Sequence, residues 1–215
     1  MLSYGWSDLA IAGMLGNIQH ESGISPGALQ KWSICPNNAE SISDVPNSWM
    51  INYYFNPSNT SERGYGIGLI QWDSYTNIAN PNGPALVSYA MRNNKEWYIG
   101  DVQTSRLEYE YQHDRTGGNI PVPSTGQTYS WWTVHRWGGV DWTYAMFKTA
   151  SGITPSLAAD IFRAGRERGG DQSIQIRRDN AEFWYQYFIN HPTTFKPWLY
   201  MFNKRKVTFN VKHWC

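Results

Sequence analysis

Apolar residues near the start of the chain recur with helical spacing. In SDLAIAGMLGNIQHESG, Ile11, Met14, Leu15 and Ile18 follow an i, i+3, i+4, i+7 rhythm that predicts one amphipathic helix. Ser7 or Asp8 supplies its N-cap, and Gly23, with Pro26 beyond it, supplies its stop. At about 100° per residue, Glu21 falls on the flank of the apolar stripe beside Met14, Asn17 and Ile18, and His20 points to the opposite side. Residues 24 to 63 lose the rhythm among many Asn, Ser and Pro and read as loop, with short extended pieces around SWMINYYF. GYGIGLIQW follows as an extended segment whose glycines permit unusual backbone angles or the close approach of another group.

Further along, Pro84 opens a helix through PALVSYAMRNNKEWY, and Asp101 caps another through DVQTSRLEYEYQH. Residues 116 to 130 read as a Gly/Pro/Thr loop, and the aromatic-rich YSWWTVHRWGGVDWTYAMF fits either period. Thr154-Pro155 starts a helix carrying Leu157, Ile161 and Phe162, and GRERGGDQ reads as a turn. SIQIRRDNAEFWYQYFINHP predicts a last helix with Ala181, Trp184, Tyr187 and Phe188 on its apolar face before Pro192. KRKVTFNVKHWC alternates like a strand or an extended arm. Neither an internal repeat nor a separating linker is evident, so the expectation is one mainly helical α+β domain spanning residues 1–215.

Composition narrows the function classes. The 215 residues are ample for a real core, and a formal net charge of +1 with evenly mixed signs leaves no nucleic-acid footprint. No apolar run approaches the roughly 20 residues of a membrane span, and MLSYGWSDLA lacks the charged and apolar regions of a secretory signal. Twelve Trp and fourteen Tyr offer flat rings with polar edges that suit sugars, although such rings are also ordinary core material. Cys35 and Cys215 make at most one disulfide, and two free thiols are the favoured expectation.

The candidate chemistry starts at Glu21. Beside an apolar stripe a carboxyl loses hydration, and at a helix C-terminus it faces the negative end of the macrodipole; both effects favour its neutral form. A neutral carboxyl near pH 7 is what a general acid for glycosidic cleavage requires, and a solvated acid on a fraying helix end is the competing explanation. In SERGYGIGLIQWDS two more acids, Glu62 and Asp73, flank the glycine-rich segment that carries Gln71.

These stretches resemble the goose-type lysozymes and related lytic transglycosylases, which share a helix ending in Glu-Ser and a strand of the form Gly-x-Gly-Leu-Met-Gln. The goose-type pattern of acid, Arg, Gly, x, Gly, aromatic, Gly, Leu, Met, Gln, x, Asp is similar to Glu62, Arg63, Gly64, Tyr65, Gly66, Ile67, Gly68, Leu69, Ile70, Gln71, Trp72, Asp73. The departures are Glu for Asp at the first acid, Ile for the aromatic and Ile for Met. A closer resemblance is to the phage tail lysozyme family, through AIAGMLGNIQHESGISP, GYGIGLIQW and IFRAGRERGGDQSIQIRRDNAEFWY. In the last block Gly169 follows Arg166, Glu167 and Arg168, where many family members have Tyr-Glu-Arg-Pro.

The resemblance implies a lysozyme-like fold with a small antiparallel β element around residues 50 to 72 flanking a cleft. It implies a peptidoglycan glycosidase acting on the β-1,4 bond between MurNAc and GlcNAc, with Glu21 as general acid and no metal or cofactor. Glu62 and Asp73 fall where goose-type enzymes keep acids that position water, and Gln71, Tyr65, Gly68 and Trp72 would line the sugar site. A water-activating carboxylate should stand about 6.5 to 9.5 Å from Glu21, and a covalent nucleophile about 5 to 5.5 Å. With neither present, Glu21 acting alone would make the protein a lytic transglycosylase. The implied setting is the virion, at a phage tail tip or knob beside other tail proteins, with a lysis-stage endolysin as the alternative.

Other chemistries find less support in the residues. Cys35 precedes a proline and lies far in sequence from His113 and His135, which disfavours a thiol peptidase. His20-Glu21 does not begin a zinc motif, because residue 24 is Ile. GRERGG lacks the Gly-Lys-Ser/Thr ending of a phosphate loop, and Glu167 among arginines suits an ion pair. Trp131, Trp132, Trp137 and Trp142 suit a core more than a sugar platform. A wall-binding tail module without catalysis remains the non-enzymatic reading.

Overall fold

The computed structural model describes residues 5–29, 42–54, 66–72, 86–114, 120–121, 128–129, 133–137, 140–164 and 173–191. In chain order these form helix α1 (Asp8–Ser22), a 3-10 turn (Ile42–Asp44), and a helical turn (Asn47–Trp49) that continues as a π-turn (Met50–Tyr54). Helices α2 (Leu86–Arg92) and α3 (Gly100–Asp114) follow, then strands β1 (Ile120–Pro121), β2 (Thr128–Tyr129), β3 (Thr133–Trp137) and β4 (Val140–Thr143). Helices α4 (Tyr144–Lys148), α5 (Pro155–Phe162) and α6 (Ile174–Asn190) complete the order. The described residues are thus mainly helical, and their strands pair antiparallel in two small ladders, β1 with β2 and β3 with β4. Two compact units arise, one from Met1–Ile24 and Glu108–Lys196, the other from Ser25–Leu107 and Pro197–Cys215.

The first unit is organised around α1. Ser7 caps it by accepting the Ala10 N–H at 3.1 Å, and Gly23 ends it in the left-handed region at φ 61°, donating its N–H to Gln19 O at 3.1 Å. Every residue from Leu9 to Ile18 is buried, so the single apolar stripe expected of this helix is replaced by burial all round. Helices α5 and α6 both pack on it. That approach is possible because two of its positions have no side chain. A β carbon at Gly13 would lie 2.6 Å from the Ala158 carbonyl carbon, and one at Gly16 would lie 2.5 Å from the Arg177 carbonyl oxygen.

Polar ties fix the rest of this unit. Thr154 caps α5 by accepting the Leu157 N–H at 3.1 Å, with Pro155 at the first helical position as expected. Asp160 of α5 receives a two-oxygen grip from Arg178 of α6, at 3.1 Å and 2.7 Å. The buried Glu108 accepts from Trp6 Nε1 at 2.9 Å and from Lys148 Nζ at 2.7 Å, so its charge is paired. Around Phe147, the rings of Trp6 and Phe162 stand at centroid distances of 6.2 and 6.1 Å.

In the second unit the β element expected around residues 50 to 72 is described only at its two ends, since residues 55–65 lie outside the described residues. Met50–Tyr54 is a helical turn, not an extended piece. Its entry is fixed by Asn47, which receives Glu96 Oε2 on its backbone N–H at 2.8 Å, donates to Lys95 O at 2.7 Å and accepts from the Trp97 N–H at 3.0 Å. Met50 is then fully buried, and this packing overrides the strand preference of Trp, Ile and Tyr. Within GYGIGLIQW, Ile67 and Trp72 exchange two backbone hydrogen bonds of 2.9 Å across a tight turn, so the extended run folds back on itself after one residue. Helix α2 stops at Arg92, short of Tyr98, because Asn94 adopts φ 53°. The Lys95 N–H reaches Ala90 O at 3.0 Å and the Asn94 N–H reaches Met91 O at 3.0 Å, closing a Schellman cap.

The aromatic-rich stretch resolves into the β3–β4 hairpin and α4, and the expected loop over 116 to 130 contains the short β1–β2 pairing. The GRERGGDQ turn, the alternating segment 204–215, Cys35 and Cys215 lie outside the described residues.

The Gly16 contact yields a direct test. Gly16→Ala gains helix propensity of about 1 kcal/mol but places a methyl against a backbone carbonyl that cannot rotate away. The variant is expected to lose about 1–2 kcal/mol net, seen as a Tm lower by several degrees in thermal denaturation. An unchanged or raised Tm would refute the close-packing account.

Candidate functional site

Glu21 stands in the last turn of α1, its side chain 25% exposed. Its Oε1 accepts a hydrogen bond from Nη2 of Arg177, one turn into α6. Among the described residues Oε2 accepts none. Arg177 is itself 4% exposed, and its guanidinium is held at two further points. Its Nε donates to Ser173 Oγ at 3.1 Å, and its Nη1 donates to Asn17 Oδ1 at 2.9 Å. Asn17, fully buried, turns its amide nitrogen to Gly13 O at 2.8 Å and to Ala159 O of α5 at 2.9 Å. Three helices therefore fix one guanidinium, and that guanidinium holds the carboxylate.

Sequence reasoning passed over Arg177, although the signal was present. Ala181, Trp184 and Phe188 mark the buried face of α6, and Arg177 lies four residues before Ala181 on that same face. A charge on an apolar stripe demands a partner, and Glu21 supplies it. Ser173 precedes the helix without capping it, because its hydroxyl serves Arg177 instead. His20 next to Glu21 is exposed; partial burial of its ring and the neighbouring Arg177 push its pKa below the ordinary histidine value, with Glu21 pulling the other way.

The chain turns sharply after Glu21. Gly23 and Ile24 both occupy the left-handed region, at φ 61° and φ 63°. Glycine does so freely, but a β-branched residue there costs roughly 1–2 kcal/mol, and Ile24 tolerates it with its side chain buried at 7% exposure.

In the second unit the structure brings Gly68, Gln71 and Trp72 together in the turn between the Ile67–Trp72 pair. Gly68 has φ 73°, and a β carbon there would lie 2.6 Å from Gln103 Oε1. Its N–H donates to Ala28 O at 2.8 Å, so Gly68 shapes the turn and its own donor is engaged. Gln103, fully buried and not anticipated from the sequence, accepts the Leu69 N–H at 2.8 Å and donates to Pro26 O at 2.6 Å and Trp97 O at 2.7 Å. Gln71 is a non-glycine at φ 50°; its Nε2 donates to Gly68 O at 3.0 Å, and its Oε1 accepts no hydrogen bond among the described residues. The Trp72 ring is 3% exposed and belongs to the interior.

Glu62, Tyr65 and Asp73 lie outside the described residues, as do Glu167, Trp131 and Trp132. Trp142 is buried, as expected of core material. Among the described residues, no three of His, Cys, Asp and Glu gather as metal ligands, and no helix is long and apolar enough to cross a membrane.

Comparison with known proteins adds to this geometry. The sequence pattern described as phage tail lysozyme matches residues 1–188. Morphogenesis protein 1 of Bacillus phage B103 is 26% identical over 186 residues, which are 86% of this chain and 36% of that protein. The chain thus spans little more than a third of that relative's length. The family match covers α1 with Glu21, the Gly66–Trp72 turn and α6 through Phe188, and by it the chain belongs to the phage tail lysozyme family.

Proposed function

We propose that the protein is a phage peptidoglycan glycosidase that cleaves the β-1,4 bond between MurNAc and GlcNAc with Glu21 as general acid. The observation that carries the reading is the state of the Glu21 carboxyl: one oxygen anchored on Arg177, the other without a hydrogen bond among the described residues, on a partly exposed side chain in a lysozyme-family chain. In this reading Oε2 is the oxygen that delivers the proton to the bridging oxygen as the C1–O bond breaks, the electron pair of that bond going to the leaving sugar. Water then adds to C1 as Asp73, with Glu62, positions it, and its surplus proton passes to a carboxylate of the site, which completes hydrolysis.

Gln71 and Tyr65 line the sugar site in this reading; Gly68 shapes the turn, and Trp72, expected from the sequence to line the site too, is buried and supports the turn from within. Gln71 is supported by its backbone. A glutamine held at φ 50° costs roughly 1 kcal/mol that glycine would avoid, and its Oε1, packed over Gly66, accepts no hydrogen bond among the described residues. The substrate is bacterial peptidoglycan, the partners are other tail proteins, and the setting is the virion, where local opening of the wall would accompany infection. The family's description and the morphogenesis protein of Bacillus phage B103 support that setting.

Mass spectrometry of fragments released from purified peptidoglycan tests the central claim. Wild type is expected to yield reducing-end MurNAc, and Glu21→Gln to release it about 10²- to 10⁴-fold more slowly. Anhydro-MurNAc ends would make the reaction that of a lytic transglycosylase, and binding to the wall without any cleavage would leave only a wall-binding module. Equal release by both proteins would eliminate Glu21 as the acid. Gln71→Gly separates support from substrate contact: it is expected to leave Tm within about 1 °C or raise it, since strain is relieved as a hydrogen bond is lost, while KM rises several-fold. An unaltered KM would remove Gln71 from the sugar site.

A further inference from the structure

We infer that Arg177 is the positioning residue of the acid, selecting which oxygen of Glu21 delivers the proton and receiving the charge that delivery leaves behind. The inference rests on the glycosidase reading and deepens it. A carboxyl has two near-equivalent oxygens and a rotatable terminal torsion, so an unanchored glutamate at a helix end spreads its proton over many directions. Here Oε1 is committed to Nη2 of Arg177, which leaves Oε2 as the atom that can carry a transferable proton.

The anchor is rigid for reasons visible in its surroundings. Arg177 is buried, and its Nε and Nη1 are held by Ser173 Oγ and Asn17 Oδ1. Asn17 is in turn held from both α1 and α5, through the carbonyls of Gly13 and Ala159. A planar guanidinium fixed at two nitrogens presents its remaining N–H groups in one direction. The same arrangement serves the transition state. As the proton leaves Oε2 for the bridging oxygen, negative charge grows on the carboxylate beside a cation that does not have to move, which is the condition for electrostatic preorganisation. Arg177 touches no reacting atom itself; it acts through Glu21.

Steady-state release of soluble fragments from purified peptidoglycan tests this, using the full chain as wild type, Arg177→Lys, Ser173→Ala, Glu21→Gln and the Glu21→Gln/Arg177→Lys double variant. Near-UV circular dichroism gives the folded fraction used to normalise each rate. Arg177→Lys keeps the charge and loses the fork, so kcat is expected to fall about 10- to 100-fold with KM within twofold of wild type. Ser173→Ala, which removes one anchor from a half-buried site, is expected to lower kcat several-fold with the same KM. In the Glu21→Gln background Arg177→Lys is expected to cause no further loss, because a residue acting through Glu21 has nothing left to position.

Wild-type kcat in folded Arg177→Lys, a change confined to KM, or a further loss in the double variant would overturn the assignment. If Arg177→Lys does not fold, Ser173→Ala decides: reduced kcat supports the assignment and wild-type kcat overturns it. An inactive Glu21→Gln beside a fully active Arg177→Lys removes only the role given to Arg177. An active Glu21→Gln removes the glycosidase reading and this inference with it.

Discussion

A single methyl group at Gly16 would meet the Arg177 carbonyl oxygen at 2.5 Å, and one at Gly13 would meet the Ala158 backbone at 2.6 Å. The first unit depends on the absence of those two methyls. Mid-helix glycine forgoes about 1 kcal/mol of helix propensity, and two such positions within one turn would weaken α1 if nothing compensated. Compensation comes from depth of packing: with no side chain in the way, the backbones of α5 and α6 come close enough to bury α1 on every side. Because the contact at Gly16 falls on the Arg177 peptide itself, the same close approach that builds the core also sets the arginine beside Asn17 and Glu21.

A buried guanidinium is an expensive thing to enclose, and its arrangement here follows from that cost. Removing one partner from a buried ion pair commonly destabilises by several kcal/mol, because the remaining charge is left without compensation. Among the described residues, Arg177 spreads its donors over a hydroxyl, an amide oxygen and a carboxylate, of which the carboxylate is the charged one. Of the neutral partners Asn17 is fixed by interior backbone, and the charged partner is partly exposed. Glu21 is therefore both a counter-ion of the buried guanidinium and a group with a face toward solvent. Nearby, Arg178 on the next position of α6 does the plainer work of pairing with the buried Asp160.

Much of this was legible in the residues. Ser7, Gly23 and the Thr154-Pro155 pair marked helix boundaries correctly, because capping is local chemistry that a few residues encode. The apolar face of α6 was readable from Ala181, Trp184 and Phe188 for the same reason, whereas Tyr187, expected on that face, is only half-buried and stacks on His191. The failures were tertiary. Residues 50–54 carry strand-forming side chains, yet Asn47 and the Lys95–Trp97 segment draw them into a helical turn. The end of α2 was hidden because asparagine at position 94 takes the left-handed cap usually given to glycine. Arg177 and Gln103 were missed for a shared reason: each is a polar residue whose partners lie far along the chain, 156 residues away for Glu21 and 34 for Leu69. Glu21 drew attention because its motif is compact; the arginine that holds it did not, because that arrives from another helix.

Both short motifs that drew attention in the sequence end in backbone strain borne by something other than glycine. Ile24 follows the Glu21 turn at φ 63°, and Gln71 closes the Ile67–Trp72 turn at φ 50°. The two tolerate it differently. Ile24 is repaid by burial of its side chain, a purely structural compensation. Gln71 is only half-buried and returns one hydrogen bond to Gly68 O, which a neighbouring backbone conformation or water could have satisfied as well. Burial offsets the strain at Ile24, whereas at Gln71 the offset is local: its side chain packs on Gly66, where a β carbon would lie 2.6 Å from Oε1, and its amide closes the turn on Gly68 O. The amide sits on a glycine-shaped turn braced by the buried Gln103, so the turn is held from within at Gly68 and closed at its rim by Gln71.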